Sequence, residues 1–285
     1  MTRILNTTAL LAVVGLAAAA NAEVVFGTTE NGTLVSWDSA TPNTLLTGVA
    51  ISGLQLNEQI RGIDFRPANG QLYAMGSFNN LYTLDTTTGA ASLVGSFAAM
   101  PLNGSAFGFD FNPTIDRIRV VSDADQNLVL NPNDGSGTLV TSLFYSAGDP
   151  NEGVNPNVVG SACTNSFAGS TTTQLYGIDT GLDVLVRQAN SAGTLDTVGL
   201  LGQDLTDVVG FDISGGSGIA YATVRDASLS RSTFWTIDLD TGLATMVGEI
   251  GGGALVTTTA VTPAPAGGAL LGACVALVGA RRRRR

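Results

Sequence analysis

The chain contains no histidine and no lysine. Without histidine there is no His-activated nucleophile, no imidazole proton shuttle and few of the usual zinc sites. Without lysine there is no Schiff-base chemistry and no P-loop phosphate cradle. Cysteine is scarce: of two, Cys274 lies in the C-terminal tail, so Cys163 stands alone in the body and no internal disulfide forms there. Glutamate is rare as well, 5 residues against 18 aspartates. Glu and Lys favour helices, whereas Asp and Gly favour turns, so an Asp-rich chain with 36 glycines reads as many strands joined by tight turns. The fold class is all-β.

What is present at the two ends is of a different kind. Residues 1–22 carry one cation, Arg3, then an apolar run from Ala9 to Ala20, and close on Ala20-Asn21-Ala22. This is the pattern of a secretory signal peptide with a small-residue cleavage site. Residues 263–285 read Pro263-Ala264-Pro265, then fifteen small or apolar residues at 266–280, then Arg281–Arg285. The apolar run falls short of the ~20 residues of a comfortable span, and terminal arginines hold such a segment on the cytoplasmic side. The three-part order resembles a PEP-CTERM-type sorting signal in a Pro-Ala-Pro variant, with Ala264 where the usual motif has Glu. That resemblance implies transient membrane anchoring through 266–280, then cleavage by an exosortase-like protease.

Between the ends, residues 23–262 hold all 23 acids and seven arginines, a net charge of −16. A body that acidic repels nucleic acid and anionic membrane surfaces. With 240 residues it can bury about 70–75% of its unfolded surface in one core.

Internal repeats set the architecture. Gly62-Ile63-Asp64-Phe65 recurs as Gly108-Phe109-Asp110-Phe111 and Gly210-Phe211-Asp212-Ile213, with a degenerate copy at Gly160-Ser161-Ala162-Cys163. The spacings are 46, 52 and 50 residues, the size of a four-stranded propeller blade. Each start is followed by three short β-like runs, the fourth strand of the second copy being read at 138–144. At the N-terminus, runs at 23–28, 33–37 and 45–49 lack a first strand. Near the C-terminus, 254–261 is a first strand lacking the other three. Joined, they complete a ring, so the expected fold is a β-propeller of five four-stranded blades closed by pairing the N- and C-terminal segments. A β-sandwich or solenoid is the alternative.

The body also resembles a catalogued family. Gly-Ile-Asp-Phe-Arg-Pro at 62–67, Gln-Leu-Tyr-Ala at 71–74, Gly-Phe-Asp-Phe-Asn-Pro at 108–113 and Asp-Arg-Ile-Arg-Val-Val-Ser at 116–122 carry the likeness. Thr-Asn-Ser-Phe-Ala-Gly at 164–169 and Leu-Tyr-Gly-Ile-Asp-Thr at 175–180 extend it. Together they are similar to the exported bacterial proteins grouped as domain of unknown function 4394. The resemblance implies an exported propeller-like module and brings no catalytic residue with it.

The candidate site residues are Asp64, Asp110 and Asp212, which occupy one repeat position and converge on the axis if the repeats are blades. Two roles fit them. Structurally, each carboxylate accepts hydrogen bonds from the next blade's backbone, the reading favoured here. Chemically, they form a hard-oxygen Ca²⁺ site or an acid/base pair. No cofactor is expected, with Ca²⁺ as the ion the acids could hold. Asp123-Ala124-Asp125-Gln126-Asn127 opens like a Ca²⁺ loop but has Leu128 where the motif needs Gly, and reads as a turn. The polar run 149–157 reads as a surface loop open to binding. Arg117 and Arg119 share one strand face, as partners for surplus acids, and the Trp and Tyr residues read as core. Two functions follow. One is an exported, non-catalytic cell-surface or matrix module that binds polysaccharide or Ca²⁺; the other is a carboxylate-dependent enzyme acting on extracellular carbohydrate.

Overall fold

The structure is a computed structural model that describes residues 22–226 and 230–263. The segments read as signal peptide and sorting tail lie outside the described residues apart from Ala22 and Pro263, and no helix among the described residues is long and apolar enough to cross a membrane.

Five small sheets are arranged around one axis. The closing blade contains β1 (Val24–Thr28), β2 (Thr33–Asp38) and β3 (Thr41–Ala50). The second holds β4 (Ile60–Phe65), β5 (Leu72–Gly76), β6 (Asn80–Leu84) and β7 (Ala91–Ser96). The third holds β8 (Phe107–Asn112), β9 (Arg117–Ser122), β10 (Asn127–Leu130) and β11 (Gly137–Leu139). The fourth is built from β12 (Phe144–Tyr145), β13 (Val158–Cys163), β14 (Leu175–Asp179), β15 (Val184–Gln188) and β16 (Thr194–Leu200). The fifth holds β17 (Val209–Ile213), β18 (Ala220–Asp226), β19 (Arg231–Ile237) and β20 (Ala244–Glu249), after which β21 (Ala260–Val261) returns to the first sheet.

Sheet order in the closing blade is β21-β1-β2-β3, with Val25 paired to Val261 and Phe26 to Ala260. The inner strands β4, β8, β13, β17 and β21 touch in sequence and return to the start. The five-bladed propeller closed through its termini is therefore the fold.

Burial follows from this arrangement. A blade's inner strands lie between two neighbouring blades, so both faces are covered and strict alternation disappears, as it does wherever a sheet is covered on both sides. All five residues of β5, β14 and β17 are buried, and all six of β13. No residue of the outermost β7 is fully buried, and half of them are exposed. Five apolar clusters fill the five interfaces between blades. One example is Trp37, Phe234 and Val256 between the fifth and closing blades; another is Phe65, Leu34 and Ala260 between the closing and second. The inner strands approach so closely that a Cβ on Gly108 would lie 2.7 Å from the Gly160 backbone of the next blade. This explains the Gly that precedes the repeated Asp by two residues.

Turn chemistry is local. Asp85 Oδ1 accepts the N–H groups of Thr87 and Thr88, and Gly89 closes the turn with φ +73°. Asp238 repeats this with Asp240 and Thr241, ahead of Gly242 at φ +85°. The turn after β9 is held differently: Asp123 accepts from the N–H and hydroxyl of Ser105, 18 residues earlier, and Asp125 takes a left-handed φ of +58°.

The strand read at 45–49 is longer, Thr41–Ala50, and two other runs are broken. The return strand is not continuous over 254–261. Val256 bridges Thr29, then the chain leaves the ladder until Ala260. In that gap the Thr257 N–H still donates to the Thr28 carbonyl at 2.8 Å, and Thr258 turns its hydroxyl onto Thr28, accepting the Thr28 N–H at 3.1 Å. The run at 138–144 is also split. Only Gly137–Leu139 pairs in the third blade, and Phe144–Tyr145 crosses to run parallel to β16 of the fourth. Burial of Leu143 and Tyr145 against Val158, Val184 and Leu195 draws it there.

Candidate functional site

The residues entering the inner strands form a vestibule of about 690 Å³ at one end of the axis. Its lining comes from the β1–β2 turn at 28–32, the β3–β4 connection at 51–61, and the approaches to β8 and β17 at 105–107 and 207–209. Thr257 and Thr258 complete it. The floor narrows into the axial channel beside Gly62, Gly108, Gly160 and Gly210, where the free volume falls to about 10 Å³, room for roughly one water.

Charge at the mouth is distributed unevenly. Glu30 pairs with Arg225 at 2.9 Å. Glu58 is buried and accepts from the Tyr82 hydroxyl at 2.6 Å and from the Phe78 N–H at 3.1 Å. Asp207 accepts from Thr180 at 2.6 Å and Asn157 at 2.9 Å. Arg61, the cationic side chain among the described residues lining the vestibule, is exposed and makes neither ion pair nor hydrogen bond with the described residues.

The three repeated aspartates lie deeper, about 10 Å along the inner strands at ~3.3 Å per residue from the level of Arg61. All are buried, and each offers a carboxylate oxygen within 4.8 Å of the others. Asp64 Oδ1 accepts the Phe65 N–H at 2.6 Å, and its Oδ2 accepts the Phe111 N–H of the next blade at 2.7 Å. Asp212 repeats the device, Oδ1 on Ile213 and Oδ2 on Val261 of the closing blade, both at 2.6 Å. Those two aspartates fasten neighbouring blades together. Asp110 occupies the same strand position, yet neither of its oxygens has a hydrogen-bond partner. Cys163 of the next blade lies near enough to lower its pKa without meeting hydrogen-bond geometry.

Electrostatics follow from burial. Loss of hydration raises Asp64 and Asp110 well above the ordinary carboxylate range, with the neighbouring aspartates adding to it. Burial pushes Asp212 up to about 7. The Cys163 thiol is raised by burial and by Asp110. Arg119, in register with Asp110 on the adjacent strand, is buried and donates to Asn127 Oδ1 at 2.6 Å and to Ser191 at 3.3 Å. Its hydrogen-bond partners are an amide and a hydroxyl, and Arg117 donates to the Asp116 backbone; neither closes an ion pair, but Arg119 still lowers Asp110 and Arg117 lowers Asp134 through their charge. The described ion pairs are Arg66–Asp116, Arg225–Glu30 and Arg231–Glu249.

The other sequence candidates do not line the vestibule, although Asn157 and Asp123 hold two residues that do, Asp207 and Ser105. Loop 149–157 is tied to β16, Asp149 accepting the Thr197 N–H at 2.6 Å and its hydroxyl at 2.8 Å. Trp37 packs edge-on against Phe234, and Tyr221 stacks on the same ring. Sequence reasoning missed Arg61, Glu58 and Asp207. A signal existed for the first: Arg61, Phe107 and Val209 all stand one residue before the repeated Gly, the position that opens onto the channel mouth.

Fold and site together define a five-bladed propeller with an open polar vestibule above a sealed carboxylate triad. Within that class, the family model described as domain of unknown function (DUF4394) matches residues 33–260. The chain belongs to that family. Among solved structures it is similar to a chain of a nidogen/laminin complex, at 12% identity and TM-score 0.48, over 85% of this chain and 98% of that one. A structural genomics protein of unknown function from Bacteroides thetaiotaomicron gives 13% identity and TM-score 0.47, over 87% and 68%. The Dos1 propeller gives 16% identity and TM-score 0.42, over 78% and 57%. No curated protein matches the chain.

Proposed function

We propose that this protein is an exported, non-catalytic propeller module that holds a segment of extracellular polysaccharide in its vestibule. The observation that carries the reading is the free guanidinium of Arg61 at the floor of a pocket of about 690 Å³. Ligand sites fall in this size range and place a few polar groups on a largely preformed wall. Around Arg61 stand Asn31, Gln59 and Thr29 as hydroxyl partners, and the half-buried Phe107 offers an apolar surface. The acids at the rim are already paired, so they do not repel an incoming chain as bare charges would.

The geometry counts against the carbohydrate-cleaving alternative. Carboxylates 5–5.5 Å apart suit a retaining glycosidase, but Asp64, Asp110 and Asp212 are only 2%, 1% and 3% exposed, beneath a channel too narrow for a sugar ring. A glycan array read with the purified protein and with Arg61→Ala tests the proposal. The parent is expected to retain a polysaccharide, and Arg61→Ala to weaken retention at least tenfold with its melting midpoint unchanged. Equal retention by both proteins, or release of reducing ends from the bound glycan, would defeat the reading.

Export rests on the two terminal signals, and the first blade is compatible with cleavage after Ala22. Glu23 is the first residue tied into the fold: its N–H donates to Ser39 Oγ at 3.0 Å, and its carboxylate accepts from Ser214, Ser217 and Tyr221. Intact-mass measurement on protein from its native host should find a chain that begins at Glu23 and lacks Arg281–Arg285. A cytosolic product with both ends uncut would rule out the export route.

A further inference from the structure

We propose that Asp64, Asp110 and Asp212 bind one Ca²⁺ ion on the propeller axis, which ties three blades together from inside. This goes beyond polysaccharide binding in the vestibule and does not depend on it.

The starting observation is the inequivalence of the three acids. Blade fastening accounts for Asp64 and Asp212, each of which spends one lone pair per oxygen on a backbone N–H. It accounts less fully for Asp110, a residue 1% exposed, whose two oxygens form no hydrogen bond of good geometry although the N–H and thiol of Cys163 in the next blade lie beside them. Buried polar groups are seldom left without a partner, and a buried carboxylate is the costliest to leave so. Its oxygen lies within 4.8 Å of oxygens from both other aspartates, so the unmet valence faces the cluster. Ser161 adds a second unpartnered group: its hydroxyl is buried and unbonded, and it lines the channel that leads down to the acids.

Charge balance gives the ion's valence. Three carboxylates and the guanidinium of Arg119 sum to −2 in the dry centre of the ring, and Arg119 is committed to Asn127 and Ser191. One divalent cation brings the sum to zero. Donor chemistry gives its class: an all-carboxylate set with no imidazole selects a hard ion. Two oxygens on opposite sides of Ca²⁺ at 2.3–2.6 Å are about 4.6–5.2 Å apart, whereas Mg²⁺ at 2.0–2.1 Å draws them to about 4.2 Å and demands octahedral geometry. Oxygens within 4.8 Å of one another fit inside the Ca²⁺ span, and the more tolerant coordination of Ca²⁺ suits carboxylates already held by backbone. Asp110 supplies two oxygens, and Asp64 and Asp212 one or two through lone pairs the backbone leaves free.

Two protons shared among the acids would neutralise the cluster equally well, and the experiment separates the two. The purified full chain is dialysed against chelator, then melted at pH 8 in chelator, in Ca²⁺ and in Mg²⁺, with metal content measured after Ca²⁺ loading and gel filtration. The expected result is close to one Ca²⁺ per chain. At a hundredfold excess over Kd the midpoint should rise about 5–10 °C, with a smaller rise in Mg²⁺. Asp110→Asn keeps shape and loses charge, so it should abolish the Ca²⁺ response while melting in chelator no lower than the parent. Asp240→Asn, in an exposed turn, should keep the full response. If Asp110→Asn does not fold, Asp64→Asn and the metal content of the parent decide. Equal midpoints with and without Ca²⁺ and less than a tenth of an equivalent bound would overturn the proposal, as would a Ca²⁺ response that survives Asp110→Asn. Stabilisation by acid alone would assign the cluster to shared protons.

Discussion

A chain ending at Gly253 is expected to lose most of its folding free energy. The missing segment buries Val256, Ala260 and Val261 at 0%, 0% and 4% exposure, and each buried valine is worth about 1.5–3 kcal/mol. The loss is larger than that apolar term. Val256 and Val261 sit in the cluster between the fifth and closing blades, and Ala260 in the one between the closing and second, so a single deletion opens both interfaces. It also removes the Val261 N–H from Asp212 and the Thr258 hydroxyl from Thr28, leaving buried acceptors and donors unmet at ~1–3 kcal/mol each. The inner edge of β1 then faces the channel unpaired. Together these reach about 6–10 kcal/mol against a typical total of 5–15 kcal/mol, so the truncated chain should be unfolded or nearly so at room temperature. Urea denaturation followed by tryptophan fluorescence measures it, since Trp37 packs in one of the opened clusters. A midpoint within experimental error of the parent would mean that the ring does not need its closing strand.

Between pH 5 and pH 8, in chelating buffer, stability should fall. The sign follows from the direction of the shifts. Asp64, Asp110 and Asp212 have folded-state pKa values above their unfolded ones, Asp212 at about 7. A group raised on folding contributes its full stabilisation below its unfolded pKa and loses it as pH rises through the folded pKa. The turn acids Asp85, Asp134 and Asp238 are shifted the other way by backbone and hydroxyl hydrogen bonds. Their contribution is present at neutral pH and disappears only in acid, below the ordinary carboxylate pKa. In chelator the optimum therefore lies at about pH 4–6, below the neutral optimum an acidic surface protein would otherwise have. The groups that face the triad and shape this profile are Arg119, Cys163 and Glu23, all named among the causes of the shifts. Calorimetric midpoints measured in steps from pH 4 to pH 8 should decline, and Asp110→Asn should flatten the decline. A midpoint that rises steadily from pH 5 to pH 8 in chelator would show that the triad is ionised without penalty. Ca²⁺ added at pH 8 should restore what chelation removed.

Ring size and closure were legible in the chain because both depend on repetition and local chemistry. A Gly two residues before an Asp, recurring every 46–52 residues, records a strand pressed against its neighbour so closely that a Cβ does not fit. The Asp-Thr-Gly turns at 85–89 and 238–242 record hydrogen bonds made within five residues. The complementary runs at the two ends record a blade divided between them. All of these are properties of short segments, and short segments carry them whether or not the rest is known.

What the chain did not disclose depends on residues far apart. The run at 138–144 has β character throughout, and only the apolar cluster around Val158, Val184 and Leu195 moves its second half into the next blade. The closing strand is interrupted because Thr258 meets Thr28, 230 residues away. Arg61 reads in sequence as one more solvated cation, and becomes a candidate contact because four other connections surround the same opening. Above all, the repeat makes Asp64, Asp110 and Asp212 look alike. Only tertiary packing, by setting the distance from each carboxylate to the next blade's amide, fastens two of them to backbone and leaves the third beside Cys163 without a well-formed hydrogen bond.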